Sequence, residues 1–161
     1  MKQHTRNNVA KLDNLYETDF YAWAMKTAEL VKQSRIHEVN WEHIAEELED
    51  MGRSEKREMA SRLEKLTAHL LKWVVQPERR SASWRGTIAE QRAELERLFE
   101  DNPSLRQLAP ARLAKEYRRA VKGASAETGL PKDAFPPQCP FTVDEAMNED
   151  YWPEHFLAKA S

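Results

Sequence analysis

The stretch NWEHIAEELEDMGRSEKREMASRLEKLTAHLLKWVVQPERR, Asn40 to Arg80, decides the fold. Trp41, Ile44, Leu48, Met51, Glu55, Met59, Leu63, Leu66, Leu70 and Trp73 recur at steps of three or four. That spacing aligns side chains along one face of an α-helix, with Glu55 the one polar interruption. Asn40 is a favourable N-cap, and Val39 before it can staple onto Ile44. Pro77 ends the run, because the residue before a proline is driven out of the helical region. Gly52 falls where an acidic block gives way to a basic one. An interior glycine costs about 1 kcal/mol relative to alanine, so the expectation is two collinear or bent helical segments meeting there.

Upstream, Tyr16, Phe20, Trp23, Thr27, Leu30 and Ser34 keep the same period and predict a first helix. Asn14 with Glu17 could open it as a capping box, and Thr18 is a second possible cap. Residues 1–13 are expected to be flexible. Downstream, Ser81 or Ser83 caps a helix whose face is Trp84, Ile88, Gln91, Leu95 and Leu98. Asn102-Pro103 reads as an N-cap followed by proline at the first helical position. The next helix carries Leu105, Leu108, Leu113, Tyr117, Ala120 and Ala124, and Pro110 inside it should kink or split it. Gly129 is a natural C-cap. The segment AFPPQCPFT, Ala134 to Thr142, should run extended and be anchored by Phe135 and Phe141. Thr142 with Glu145 forms a capping box for a short helix before Tyr151-Trp152-Pro153, and residues 154–161 read as a tail. The fold expected is all-α and a single domain: a helical bundle of four to five main helices with a long central helix and a proline-rich C-terminal strap.

Composition narrows the function classes. The chain has 161 residues and a formal net charge of −2, so no global field draws it to nucleic acid or acidic lipid. No run of 18 apolar residues offers a spanning helix, and MKQHTRNNVAKLDN has no apolar region of the kind a secretory signal needs. Cys139 is the single cysteine, which excludes an internal disulfide framework and a cysteine-based zinc site. A reducing cytoplasm fits best.

The motifs LYETDFYAWA (Leu15–Ala24), EELEDMGRSEKRE (Glu46–Glu58), SRLEKLTAHLLKW (Ser61–Trp73), QPERR (Gln76–Arg80), NPSLR (Asn102–Arg106) and ETGL (Glu127–Leu130), with the FPPQCPFT-to-YWP tail, resemble the bacterial domain of unknown function twenty-nine. The resemblance runs in order from Leu15 to Pro153. Asn40 stands where such proteins often have Asp, and either residue caps a helix. The resemblance implies an all-helical protein of the bacterial cytoplasm, and it brings no activity, cofactor or catalytic residue with it.

Several constellations could carry chemistry. His43, Glu46 and Glu47 lie on one helical segment and His69 on the next. Helix-bundle metal sites use such residues, commonly as Glu-x-x-His pairs on two helices. Here the order is reversed and occurs once, so His43, Glu47 and His69 are weak metal candidates, and no metal or other cofactor is expected. Acids crowding from Glu42 to Asp50 also suit the first turns of a helix and a solvated face. His69 and Lys72 could serve as a general base and an anion contact, with Glu46 and Glu47 as carboxylate partners. The plainer reading is a boundary histidine hydrogen-bonded to a neighbouring helix and a lysine whose stem lies on apolar surface. Asp19, Glu46, Glu47, Arg53, Arg62 and Arg92 could form polar pairs that fix helix register.

Arg112, Lys115, Arg119 and Lys122 form a basic stripe, joined by Arg106 and Arg118 and opposed by Glu116. It could follow phosphates, but an acidic protein partner or a solvated face suits the balanced charge better, and the sequence has no helix-turn-helix, zinc or RNA-binding signature. Trp23, Trp41, Trp73 and Trp84 read as core. Trp152, if exposed with Tyr151 and Phe156, would anchor a partner. Cys139 reads as a small packed residue, although His155 could approach it as a base. Strong fold specification without recognisable chemistry favours a non-catalytic protein-interaction module, with homodimerisation a plausible addition. The alternatives are an enzyme or metal-binding protein built on the Glu/His cluster, and nucleic-acid binding through the basic stripe.

Overall fold

The computed structural model describes residues 2–154, with side chains described from Val9 onward. Among the described residues there are six α-helices: α1 Lys2–Thr18, α2 Phe20–Lys32, α3 Trp41–Val75, α4 Ala82–Asp101, α5 Pro103–Thr128 and α6 Val143–Met147. Short 3₁₀ turns lie at Ile36–Glu38, Pro77–Arg79 and Lys132–Ala134, and no β-strand occurs among the described residues. Contacts divide the chain into two compact units, residues 1–53 and 54–161.

In the first unit the helix does not start at Asn14. Helix α1 already includes Asn14 and ends at Thr18, whose hydroxyl donates back to the Asn14 carbonyl (2.7 Å). The chain breaks at Asp19, whose carboxylate accepts from the Ala22 amide (3.0 Å) and caps α2. The apolar line expected on one helix is therefore shared between two. Trp23 and Leu30 of α2 bury against Leu12 of α1 and Val39, with Leu15, Tyr16 and Ile44 packed around them. Ser34, at φ 58°, turns the chain out of α2 in the left-handed region. Asn40 caps α3, its side-chain oxygen accepting from the Glu42 amide (3.0 Å), and Val39 and Ile44 share one cluster as the staple requires.

Helix α3 passes through Gly52 without interruption, so the expected division into segments is absent. Its apolar stripe has two fates. Met59, Leu63, Leu66, Leu70 and Trp73 are buried in the second unit, together with Ile88, Leu95, Leu113 and Tyr117. Trp41, Leu48 and Met51 are 53%, 62% and 65% exposed, which corrects the expectation of a core Trp41. The cause is helical geometry. In the first unit α3 presents His43 and Glu47 to Tyr16, and at about 100° per residue Trp41 points about 200° away from His43.

In the second unit Ser81 caps α4 and accepts from the Trp84 amide (3.3 Å). Asn102 occupies the N-cap position of α5 ahead of Pro103, as expected, but its side chain makes no capping hydrogen bond there. Its side-chain amide instead donates to the Leu98 carbonyl (3.2 Å), closing the end of α4. Helix α5 is not split at Pro110. It ends at Gly129, whose φ of 74° is the left-handed C-cap the sequence predicts. Phe135 and Phe141 are buried after it, and the Tyr117 hydroxyl donates to the Pro136 carbonyl (2.7 Å). The Thr142–Glu145 capping box opens α6.

One buried cation holds the C-terminal segment. Arg92 of α4 is 4% exposed and donates to the carbonyls of Ala146 (2.8 Å), Glu149 (3.2 Å) and Tyr151 (2.7 Å). These carbonyls replace the water that burial removes from the guanidinium, and the Trp152 ring lies 5.2 Å from it. Removal of this group would leave three acceptors without their donor. Arg92→Met should lower unfolding stability by about 2–4 kcal/mol, and limited proteolysis should cut first between residues 143 and 152.

The glycines give a paired test. A Cβ at Gly52 meets nothing within 4 Å, whereas Gly129 has positive φ. Gly52→Ala should stabilise by about 0.5–1 kcal/mol, and Gly129→Ala should destabilise by about 1 kcal/mol, as read by urea denaturation.

Candidate functional sites

The candidate residues fall into three constellations. The first lies within the first unit. Tyr16 of α1 donates to Glu47 (2.7 Å) and lies 3.1 Å from Glu46, both on α3. Its ring stacks on His43 at 4.0 Å and meets Trp23 edge-on at 4.8 Å. The hydrogen bond to Glu47, then desolvation and Glu46, push the Tyr16 phenol above its ordinary range. Tyr16 is therefore a donor holding two carboxylates, not a base. Asp13 accepts from the Asn40 amide (2.9 Å). His43 Nδ1 lies 3.3 Å from the same carboxylate oxygen but is out of hydrogen-bond alignment. This arrangement ties α1 to the start of α3.

The second constellation lies within the second unit and is centred on Lys72, which is 1% exposed. Its ammonium donates to Glu127 at the end of α5 and to His69 Nε2 (3.3 Å), and it lies 5.0 Å from the centre of the Trp84 ring. His69 Nδ1 is 2.9 Å from the Lys65 carbonyl. That contact places the proton on Nδ1 and leaves Nε2 to accept from Lys72. Burial above all, with the nearby Lys72 charge, holds His69 below its ordinary pKa against the opposing Lys65 carbonyl and Glu127. The buried ammonium thus has two acceptors, a carboxylate and an imidazole, and a ring face beside it. The lysine is spent in joining α3, α4 and α5.

Glu46 and Glu47 thus belong to the Tyr16 cluster, and His69 to the Lys72 cluster. Among the described residues, no group of three or more His, Cys, Asp or Glu side chains is set to hold a metal ion. The polar pairs expected to fix register are partly present. Arg62 reaches Glu58 (2.7 Å) and Gln91 (3.3 Å), while Arg53 pairs with Glu49 and Asp50 on its own exposed turn.

The basic stripe lies on α5. Glu116, 3% exposed, binds Arg112 (2.9 Å) and Arg119 (3.0 Å), so one buried carboxylate engages two of its four cations. Lys115, Arg118, Arg119 and Lys122 remain exposed. Trp152 is half-buried and packed, with its ring 4.7 Å from Trp73 and guanidinium groups of Arg85 and Arg92 at 5.6 and 5.2 Å. It is not a free anchor. Cys139 is half-buried and donates to the Phe141 carbonyl (3.3 Å), whereas His155 and Phe156 lie outside the described residues. The sequence reading missed Tyr16 as a hydrogen-bond donor and Glu127 as the lysine's partner. Tyr16 sits seven residues before Trp23 on what looked like one helix, and Glu127 is 55 residues from Lys72, beyond any local pattern.

The sign of the His69 effect follows from its lowered pKa. The unfolded chain takes up a proton on this histidine near pH 6.5, and the folded chain does so only at lower pH. Stability from this group is complete above about pH 6.5 and falls as the pH drops below it. The fall in Tm between pH 7.5 and 5.5 should be smaller in His69→Gln than in the unsubstituted chain.

No helix among the described residues is long and apolar enough to cross a membrane. No curated protein and no solved structure matches the chain. The family model described as domain of unknown function DUF29 matches residues 15–152, from the cap-bearing end of α1 to the Trp152 packing site. By that match, which covers most of its length, the chain belongs to the DUF29 family.

Proposed function

We propose that the chain is a non-catalytic protein-interaction module of a bacterial cytoplasm, and that α3 carries the contact. The observation behind this reading is the uncovered half of the α3 stripe. Every residue from Leu48 to Glu58 is exposed, and Trp41, Leu48 and Met51 present apolar surface without cover. An amphipathic helix gains stability by burying such a face against another element. The neighbouring polar groups favour binding over chemistry, because Tyr16 and Lys72 are both committed to internal partners.

The charge order beside the stripe suggests the partner's chemistry. Glu46, Glu49 and Asp50 precede Arg53, Lys56 and Arg57. A helix running antiparallel, with apolar residues and the same acid-then-base order, would set opposite charges together. A second copy of this chain has that order, so a homodimer is one form the contact can take. The exposed cations of α5 offer a second face for an acidic protein partner, whereas phosphate tracking finds two of its four stripe cations already engaged by Glu116.

Leu48→Glu combined with Met51→Glu tests the reading. Both side chains are exposed, so Tm should change little. Co-purifying protein, or the dimer seen by light scattering, should be lost from the variant and kept by Lys115→Glu. Retention of every partner by the double variant would overturn the assignment to α3.

A further inference from the structure

The geometry points to a binding site in the first unit for a single-tailed anionic amphiphile, an aliphatic carboxylate or a molecule of that chemistry. The site is a cleft of about 570 Å³ formed by α1, α2 and the turn that follows α2. This volume lies within the range of small-molecule sites. Leu12, Leu15, Ala22 and Leu30 supply its apolar lining, and Lys11, Lys26, Arg35 and Glu38 stand around it. An apolar floor with charged groups around it suits a ligand that has an aliphatic body and one polar end.

The charges decide which polar end. Arg35 is held by Glu38 through two hydrogen bonds of 2.7 and 2.8 Å. Lys26 pairs with Glu29 at 2.8 Å. Lys11 is exposed and has no carboxylate partner among the described residues. Among the described lining residues Lys11 is thus the one cation without a carboxylate partner, and it matches one anionic head. A neutral head would leave Lys11 without a counter-charge, and a cationic head would be repelled by it. Ser34 fixes the geometry on the far side, because its left-handed turn allows the Arg35 amide to bond to the Leu30 carbonyl (2.9 Å). That bond seats Arg35 beside the lining leucine of α2.

The test is calorimetric titration of the full chain with dodecanoate below its micellar concentration, alongside amide chemical-shift mapping. Dodecanoate should bind and shift the amides of residues 11–15, 22–30 and 35. Butanoate, which lacks the tail, and dodecyltrimethylammonium, which reverses the head charge, should bind at least tenfold more weakly. Lys11→Glu should weaken dodecanoate binding by a similar factor, and Lys11→Arg should restore it. Ala22→Phe, which fills the cleft, should abolish binding while circular dichroism shows the helices intact. Equal binding of the cationic amphiphile, unchanged binding by Lys11→Glu, or shifts confined to other residues would overturn the assignment. Sedimentation with phosphatidylglycerol vesicles without binding of monomeric dodecanoate would also overturn it, by assigning the charge to a membrane surface.

Discussion

Burial of one face of α3 is the constraint on which the second unit depends. Met59, Leu63, Leu66, Leu70 and Leu71 are all fully enclosed, and the same core takes in Ile88 and Leu95 of α4 and Leu113 and Tyr117 of α5. Each such side chain contributes about 1.5–3 kcal/mol when fully buried, so this seam outweighs any single polar contact. The polar groups decide where elements dock along it. Lys72 draws the end of α5 to α3 through Glu127, and Arg92 fixes α6 and the segment after it through three carbonyls. Both are costly to bury, and both are tolerated because hydrogen bonds replace lost water: a carboxylate and an imidazole for Lys72, three carbonyls for Arg92.

The stripe on α3 keeps its period beyond the part that this core covers. From Leu48 to Glu58 every residue of the helix is exposed, and apart from one contact of the Asn102 side-chain amide with Glu55 (3.4 Å) its polar support is local. Arg53 pairs with Glu49 and Asp50, and Arg62 with Glu58, at helical spacings of three and four. Exposed pairs of this kind contribute about 0.3–0.5 kcal/mol each. They can keep a helix formed between two packed ends without making it resistant to opening. Apolar residues retained in such a stretch favour recognition over packing, and that contrast underlies the functional reading.

Much of the fold was legible because its signals are local. The α3 period, the Asn40 cap with its Val39–Ile44 staple, the Gly129 C-cap and the Thr142–Glu145 box depend on residues within a few positions of each other. The errors arose where tertiary cover decides. Periodicity placed Trp41 on an apolar face but could not show that Tyr16 and Trp23 would engage the His43 side of the helix instead. The Asp19 break was hidden because Tyr16 and Phe20 keep helical spacing across it. The candidate site was less legible than the fold. Glu46, Glu47, His69 and Lys72 stand out in the sequence as a possible single constellation, but their partners Tyr16 and Glu127 are distant in sequence and only folding brings them in.

Amide hydrogen exchange along α3 in dilute solution tests the central claim most directly. The account predicts strong protection from Met59 to Val74 and exchange many-fold faster from Gly52 to Glu58, with the faster region slowed when a binding partner or a high concentration of the chain is present. Uniform strong protection of the whole helix in the dilute monomer would contradict it, because the stripe would then already be covered within a single chain.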